Sequence, residues 1–401
     1  MDRTADHTIQ GFLYQFHKSL LEVLRAADDA EITIEGIIED IEIAAPAGLT
    51  AIQCKYHEAK ENFAVSTIFK PVLQMMQHFQ ANPQANISYV LFAHFPNPPA
   101  NYTLSKADLD AALASTNKEL RKYCDALRGR VDLNAFLLKF SMQFGPSWDG
   151  MVEDVRAALV TAGIPKGDVD VLAYPNAIQE IANLGIEHDG TKRKVTKAAL
   201  LLKLATIKST AITRWTLALK QKKQFLEAKR KQLKSHLGTN TRLRYFIVNC
   251  TSLQDFDVTF VGFVCDFLTK YHFKPVHIST PLFCLDTTED IFRDIQLRLH
   301  RKGVVANDGY VGRQFDTTYF FRQPLIQKGR MNGDVRREFN LRLLRWEGNG
   351  AALAQQKSDD LFIIGTNRYA AIDTKDVCVE VLEASSVKEI AFITGVNHTY
   401  E

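Results

Sequence analysis

The sequence predicts a chain of the α/β class with more than one domain. The chain has 401 residues, of which 46% are hydrophobic and 24% charged, so it holds enough apolar material for two or three cores. Apolar residues at helical spacing alternate along the chain with short apolar runs at strand spacing. The six cysteines include no Cys-x-x-Cys pair, which argues against a zinc site and against a disulfide framework.

The first hundred residues are predicted to form a helix, a three-stranded meander, a second helix and a further strand. Apolar positions separated by three and four residues indicate the helices, and alternating isoleucines indicate the first two strands. The Pro-Ala-Gly sequence at 46–48 predicts the turn before the third strand. In chain order, the predictions are a helix at 8–27, strands at 31–35, 40–43 and 49–56, a helix at 66–79 and a strand at 87–95.

The remainder of the chain is predicted to change character near residues 238–241. Before that point helices dominate, and after it strands and helices alternate. The helical stretches are 106–129, 148–162 and 198–236, with 131–144 compatible with either a helix or a strand. The later predictions are strands at 245–248, 276–279, 339–346, 361–365 and 369–372, and helices at 258–271 and 289–300.

Charge is distributed unevenly along the chain. Residues 192–244 contain sixteen lysines or arginines and one acid, Glu227, so this segment carries a formal charge of +15. Because the whole chain carries +3, the rest of it carries −12. We therefore predict three parts: an N-terminal domain at 1–160, a basic helical segment at 161–240 and a C-terminal α/β domain at 241–401. A basic segment of this kind attracts phosphates or an acidic protein surface.

Three polar residues of the predicted meander are candidates for a catalytic site. Gln53 and Lys55 lie two positions apart on one strand and therefore share a face. Asp40 begins the preceding strand, so pairing through the turn brings it close to both. A carboxylate and an amide oxygen are suitable ligands for Mg²⁺, and a neighbouring lysine stabilises negative charge on a phosphate. These are the groups needed for metal-assisted phosphodiester hydrolysis.

The same residues resemble the PD-(D/E)xK nucleases, in the variant that has glutamine in place of the second acid. In particular, they resemble the double-strand DNA endonuclease domain of CBASS effectors and of the nuclease partners of HerA-type ATPases in bacterial anti-phage systems. Three motifs carry the resemblance: 11–15 (Gly-Phe-Leu-Tyr-Gln), 39–41 (Glu-Asp-Ile) and 52–57 (Ile-Gln-Cys-Lys-Tyr-His). The resemblance covers about the first hundred residues and implies a restriction-endonuclease-like fold for the N-terminal domain.

The resemblance also implies a role for each site residue. Asp40 and Gln53 would hold Mg²⁺ or Mn²⁺, Lys55 would be the catalytic lysine, and Gln15 would be the first-helix residue that faces the site. Glutamine lacks the second negative charge of the usual pattern. Glu22, seven residues after Gln15 and hence on nearly the same helix face, is a candidate for the missing carboxylate.

Two alternatives compete with this site. In the first, the polar residues are the solvent-exposed face of an ordinary antiparallel hairpin. In the second, the site lies in the C-terminal domain, where Asp360, Asp373 and Lys375 repeat the same spacing with a true Asp-x-Lys motif. This second motif lacks the preceding helix motif, and we expect it to be an exposed strand end.

The basic segment is a candidate nucleic-acid-binding surface. Lys222, Lys223, Arg230 and Lys231 are interspersed with apolar residues and are predicted to contact DNA phosphates. The alternatives are a solvated helix face whose apolar stripe packs elsewhere, and contact with an acidic protein partner.

Together these patterns predict a metal-dependent DNA endonuclease of a bacterial anti-phage system. Its expected partners are double-stranded DNA, a HerA-type hexameric ATPase that activates it, and further copies of itself. One alternative is a nuclease whose C-terminal domain senses a cyclic oligonucleotide, and another is a non-catalytic DNA-binding scaffold. The sequence has neither a signal-peptide core nor a membrane-length apolar run, so we expect a cytoplasmic protein without a membrane partner.

Overall fold

The computed structural model describes residues 5–58, 62–100, 102–328, 335–365 and 372–400. The chain divides into two compact units, Met1–Lys208 and Ser209–Glu401. Both units combine helices with a six-stranded sheet, which confirms the predicted α/β class. Along the described residues, no helix is both long and apolar enough to cross a membrane.

The division between the units differs from the predicted three parts. It lies about thirty residues before the predicted boundary at 238–241. The reason is the long basic helix Lys222–Gly238, which packs against the C-terminal helix Val387–Ile393 and so belongs to the second unit. The predicted middle segment, 161–240, is therefore shared between the two units and forms no unit of its own.

The first unit contains the predicted helix, meander, helix and strand, followed by helices. Its helices are α1 Ala5–Arg25, α2 Phe69–Ala81, α3 Lys106–Leu113, α4 Arg121–Leu127, α5 Leu133–Lys139, α6 Trp148–Thr161, α7 Lys166–Asp168, α8 Tyr174–Ile186 and α9 Lys197–Thr206. Its strands are β1 Glu31–Ile34, β2 Ile41–Ala45, β3 Gly48–Tyr56, β4 Ile87–His94, β5 Phe140–Phe144 and β6 Lys194–Val195. The ambiguous stretch 131–144 contains both α5 and β5, and the helix predicted at 106–129 is divided into α3 and α4.

The sheet of the first unit has the order β5-β4-β3-β2-β1-β6. Strand β3 lies in its interior, antiparallel to β2 and parallel to β4. The turn into β3 is made by Gly48, whose φ of +138° is a conformation that L side chains rarely adopt. Helix α1 packs on one face of β3, and an apolar cluster that includes α2 covers the other. Both faces of this part of the sheet are therefore covered by protein.

The second unit is built on a parallel sheet. Its helices are α10 Arg214–Leu217, α11 Lys222–Gly238, α12 Phe256–Tyr271, α13 Glu289–Arg301, α14 Thr317–Phe321, α15 Trp346–Asn349 and α16 Val387–Ile393. Its strands are β7 Arg244–Asn249, β8 Leu282–Asp286, β9 Ala306–Asn307, β10 Tyr310–Val311, β11 Gln314–Phe315, β12 Ile326–Lys328, β13 Val335–Arg337, β14 Leu341–Arg345, β15 Asp360–Ile364 and β16 Cys378–Leu382.

The main sheet of the second unit has the order β16-β15-β7-β8-β14-β9, and every pair in it is parallel. Strand β7 comes first in the chain and lies inside the sheet, with β15 and β16 on one side and β8, β14 and β9 on the other, so the strand order reverses at β7 as in doubly wound sheets. The strand predicted at 276–279 is wrong, because the strand of that region is β8, three residues later. Of the strand predicted at 369–372, residues 369–371 lie outside the described residues.

Candidate active site

Three carboxylates come together in and beside the loop that joins β1 to β2. The backbone N–H of Glu35 donates to the carbonyl of Asp40 at 2.8 Å and closes the loop. Glu35 has a φ of +52°, an uncommon conformation for a residue other than glycine. Inside the loop, Ile38 N donates to Oε1 of Glu42 at 2.6 Å. The loop thereby holds Glu35, Glu39 and Asp40 close to the end of β3.

Asp40 is bound to β3 through one of its two carboxylate oxygens. Its Oδ2 accepts hydrogen bonds from Nε2 of Gln53 and from the backbone N–H of Cys54, the latter at 2.8 Å. These bonds leave Oδ1 of Asp40 and Oε1 of Gln53 without a hydrogen-bond donor among the described residues. The structure therefore brings together Asp40 and Gln53, the two residues predicted to hold metal, and leaves an oxygen free on each.

Gln15 joins this group through Glu35, a residue that the sequence analysis missed. Nε2 of Gln15 donates to Oε1 of Glu35 at 2.5 Å, although the two residues are twenty positions apart. Arg193 also holds this loop, because its Nη1 donates to the carbonyl oxygen of Glu35 at 2.7 Å. The sequence analysis placed Glu35 at the end of the predicted strand 31–35, and a single polar residue at a strand end gives no functional signal, so only the fold identifies Glu35 as part of the site.

Glu22, the predicted substitute for the second acid, has a different partner. Its carboxylate pairs with the ammonium group of Lys18, four residues earlier on the same helix. Lys18 is buried and lies over the ring of Phe92, 4.1 Å from the centroid. Glu35 rather than Glu22 is therefore the carboxylate that interacts with Asp40 at this site.

All three carboxylates hold protons more tightly than carboxylates in water, mainly because they are buried. Burial, followed by the charge of Asp40, raises the pKa of Glu39 to about 8, while Lys55 opposes the change. Burial and the charge of Asp40 also raise the pKa of Glu35. Burial raises the pKa of Asp40 as well, although Lys55 and the hydrogen bonds from Cys54 and Gln53 act in the opposite direction. Burial is the largest cause for all three groups, so a cation bound beside them would favour their ionised forms.

The alternative of an exposed hairpin face does not match this environment. Gln53 is 8% exposed and Gln15 is 9% exposed, and Lys55 is half-buried. A polar face that only meets solvent has no reason to bury two amides in hydrogen bonds to carboxylates. The polar residues of β3 therefore belong to a buried network rather than to an open surface.

The chemistry of these residues fits a divalent cation such as Mg²⁺ or Mn²⁺. Mg²⁺ is usually held by one or two carboxylates, while water and substrate phosphates complete its coordination. Oδ1 of Asp40 is a carboxylate oxygen and Oε1 of Gln53 is an amide oxygen, and both are hard oxygen ligands of the type that Mg²⁺ prefers. Asp40 and Gln53 are therefore the residues that would hold the ion.

The second Asp-x-Lys motif has a different environment. Asp360 is 1% exposed, and its carboxylate accepts hydrogen bonds from Arg242 at 2.6–3.0 Å and lies 3.3 Å from Nε of Arg244. Asp373 is exposed, pairs with Lys357 at 2.5 Å and accepts a hydrogen bond from the backbone N–H of Lys375. The Asp360 carboxylate is thus part of a buried ion pair, and Asp373 is part of a surface turn.

A group of metal-ligand type also includes Asp360. Along the described residues, ligand atoms of His236, Asp360 and Cys378 lie within 4.8 Å of one another. Because two guanidinium groups already neutralise Asp360, this group lacks the negative charge that would draw a divalent cation.

The four basic residues predicted to bind nucleic acid lie on α11, but they have different surroundings. Lys222 pairs with the buried carboxylate of Glu389 at 2.5 Å, so its charge is neutralised within the second unit. Lys223, Arg230 and Lys231 line a cavity of that unit. Three of the four residues predicted to bind DNA therefore line a concave cavity, and the fourth is paired with a carboxylate.

Comparisons with known proteins give little further information. No family model matches the chain, and no curated protein matches it. Among solved structures, a Cap4 SAVED/CARF-domain containing receptor of Acinetobacter baumannii with the cyclic trinucleotide 3'3'3'-cAAA is 11% identical, with 96% of this chain and 94% of that chain covered and a TM-score of 0.30. The Moraxella osloensis Cap4 SAVED/CARF-domain containing receptor is 9% identical, with 99% and 94% covered and a TM-score of 0.23. TM-scores this low carry no argument about function.

Proposed function

We propose that this protein is a metal-dependent endonuclease that hydrolyses phosphodiester bonds in double-stranded DNA. One observation carries the proposal: the Asp40 carboxylate is hydrogen-bonded to Gln53 and Cys54 on β3, and the charge of the nearby Lys55 acts to lower its pKa. A structural hairpin does not require a buried carboxylate held by an amide and a backbone N–H beside a half-buried lysine. A site that takes a cation and a phosphate does.

Each residue has a chemical role in this proposal. Asp40 and Gln53 supply oxygen ligands, and the backbone of Cys54 fixes the orientation of the Asp40 carboxylate. The ammonium group of Lys55 orients the attacking water and stabilises the charge that develops on the phosphate. Gln15 keeps Glu35 next to the site. A bound Mg²⁺ would supply Lewis-acid activation of the phosphate and a lowered pKa for the water.

The biological setting is a proposal that rests on the resemblance of the N-terminal motifs. We propose a role in bacterial anti-phage defence, in which a HerA-type hexameric ATPase activates a homo-oligomeric form of the nuclease. Such control is expected because an unregulated double-strand nuclease damages the DNA of its own cell. Activation by a cyclic oligonucleotide is the other possibility, which the experiment below separates from the first.

The experiment is cleavage of supercoiled plasmid with Mg²⁺, with and without a HerA-type hexameric ATPase, and with cyclic oligonucleotides in a parallel series. Wild type is compared with Lys55→Ala and with Lys375→Ala, which removes the corresponding lysine of the second motif. We expect cleavage by wild type and by Lys375→Ala, and a loss of at least about 10²-fold in Lys55→Ala.

Two outcomes would contradict the proposal. If cleavage is lost only in Lys375→Ala, the active site lies in the second unit. If the protein binds plasmid but no sample cleaves it under any of these conditions, the protein is a DNA-binding scaffold. Binding measured in parallel distinguishes a catalytic defect from a loss of affinity.

A further inference from the structure

A concave cavity of about 430 Å³ lies on the helices of the second unit. One wall is a face of α11, and the other is formed by α16 and the segment that follows it. This volume is within the range of cavities that hold small molecules. Its lining includes four cations and two aromatic side chains, namely Lys223, Arg230, Lys231, Lys234, Phe392 and Tyr400.

The cations lie along one face of α11, with Glu227 between Lys223 and the other three. At a rise of about 1.5 Å per residue, the stretch from Lys223 to Lys234 is about 16 Å long. One carboxylate, Glu227, lines the same cavity. Among the described residues, no carboxylate lies within ion-pair distance of Lys223, Lys231 or Lys234. The wall formed by α11 therefore carries positive charge that the second unit does not neutralise.

The basic side chains also affect a neighbour at the end of α12. Burial lowers the pKa of Lys270, and the charges of Arg230 and Lys234 lower it further. Lys270 donates a hydrogen bond to the carbonyl of Gly395 in the segment that forms the opposite wall. The positive charges of Arg230, Lys234 and Lys270 repel one another, and an anion bound in the cavity would reduce this repulsion.

Arg230 is held in position by the opposite wall. Its guanidinium group lies 4.9 Å from the ring centroid of Phe392, and its Nη2 lies 3.0 Å from Nδ1 of His398. The rings of Phe392 and Tyr400 are in contact, with centroids 5.5 Å apart. Phe392 is buried, so the cavity combines a positioned guanidinium group with the partly exposed ring of Tyr400, on which a planar ring can stack.

The position of the cavity differs from the usual ligand position of a doubly wound sheet. That position is the crevice at the carboxyl ends of the strands where the strand order reverses, which in this sheet is between β7 and β15. The cavity instead lies along the outer helices α11 and α16. A concave cavity of about 430 Å³ has the size of a small-molecule site, whereas the backbone of a DNA duplex needs an extended surface.

We infer that this cavity binds a small ligand that carries two or more phosphates and an aromatic base, as a nucleoside polyphosphate does. The cations of α11 bind the phosphates, and Tyr400 stacks on the base. The inference concerns the second unit alone and does not depend on the proposed nuclease activity.

The experiment is a binding titration of the full chain in EDTA, where metal-dependent cleavage is absent. The probe is fluorescent mant-ATP, with tripolyphosphate and a 20-base-pair DNA duplex as competitors. We expect saturable binding by wild type and displacement by tripolyphosphate. The double variant Lys231→Gln/Lys234→Gln should bind both phosphate ligands at least about tenfold more weakly.

Two further variants make the test specific. Lys302→Gln removes one charge from an exposed position of the same unit outside the cavity and should leave affinity unchanged. Tyr400→Leu should weaken mant-ATP about threefold to tenfold, through lost stacking, without changing tripolyphosphate affinity. Circular dichroism establishes that each variant is folded.

Three results would overturn the inference. The first is no saturable binding by folded wild type at about 1 mM probe. The second is equal weakening by Lys302→Gln and by the double variant, which would indicate attraction by net charge. The third is displacement by the duplex but not by tripolyphosphate, which would assign the cations to a nucleic-acid surface.

Discussion

The amide of Gln15 donates a hydrogen bond to the carboxylate of Glu35 at 2.5 Å and so joins the first helix to the loop that carries Asp40. A helix residue and a loop residue twenty positions apart are thereby held as parts of one site. The bond also gives Glu35 a defined place beside Asp40. Several consequences of this arrangement can be measured.

Glu35 and Glu22 provide a matched pair for testing which acid belongs to the site. We expect Glu35→Gln to reduce metal-dependent cleavage by about 10–100-fold, because the substitution removes a charge that interacts with Asp40 and Lys55. Glu22→Gln is the same chemical change at a carboxylate that pairs with Lys18, and it should have a much smaller effect. Initial rates of plasmid cleavage measure the effect of each substitution. The reverse order of effects would assign the missing carboxylate to Glu22.

Metal binding should be detectable without catalysis. A ligand present at ten times its dissociation constant stabilises the state that binds it by about 1.4 kcal/mol. Mg²⁺ or Mn²⁺ should therefore raise the unfolding temperature of the wild type, and Asp40→Asn should remove this effect. Asp373→Asn is the control, because it changes the corresponding residue of the second motif. Equal stabilisation of the two variants would place the ion elsewhere.

Glu39 should make stability depend on pH. Its pKa of about 8 in the folded protein is above the ordinary value of 4.5, so the folded state holds the proton more tightly than the unfolded state. Stability should therefore fall as the pH rises from about 4.5 to 8. Glu39→Gln resembles the protonated form and should be more stable than the wild type by about 1–4 kcal/mol at pH 9, but not at pH 4. Urea unfolding across this range measures the difference. If the unfolding free energies of wild type and Glu39→Gln change with pH in parallel, Glu39 is not the cause of the pH dependence.

Asp360 should be important for stability rather than for catalysis. It is buried and paired with Arg242 and with the fully buried Arg244, so Asp360→Ala leaves a guanidinium group without its counter-charge. We expect a loss of about 3–5 kcal/mol of unfolding free energy. Breaking the exposed pair between Asp373 and Lys357 with Asp373→Ala should cost less than about 1 kcal/mol. Similar losses in both variants would contradict the assignment of Asp360 to the core.

Local patterns predicted much of the first unit. The helix at 8–27 and the strands at 31–35, 40–43 and 49–56 correspond to α1, β1, β2 and β3, because hydrophobic period and turn residues are encoded within short segments. The same reasoning identified Gln53 and Lys55 as neighbours on one strand.

Contacts between distant residues could not be predicted in this way. Glu35 meets Gln15, and Lys222 meets Glu389, because of the tertiary fold and not because of spacing along the chain. The prediction of Lys222 as a DNA contact counted its charge but not the carboxylate that neutralises it. Strand β16 and helix α16 were not predicted at all, although α16 determines which unit includes the basic helix.

The central position of β3 also limits how its sequence can change. Because β3 is paired on both edges, with β2 and with β4, its register is fixed from two sides. Successive side chains of a strand point to opposite faces, so inserting one residue between Gly48 and Gln53 would move Gln53 and Lys55 to the opposite face together. Substitutions in this strand are expected to have graded effects, whereas a single insertion or deletion would separate both residues from Asp40 in one step.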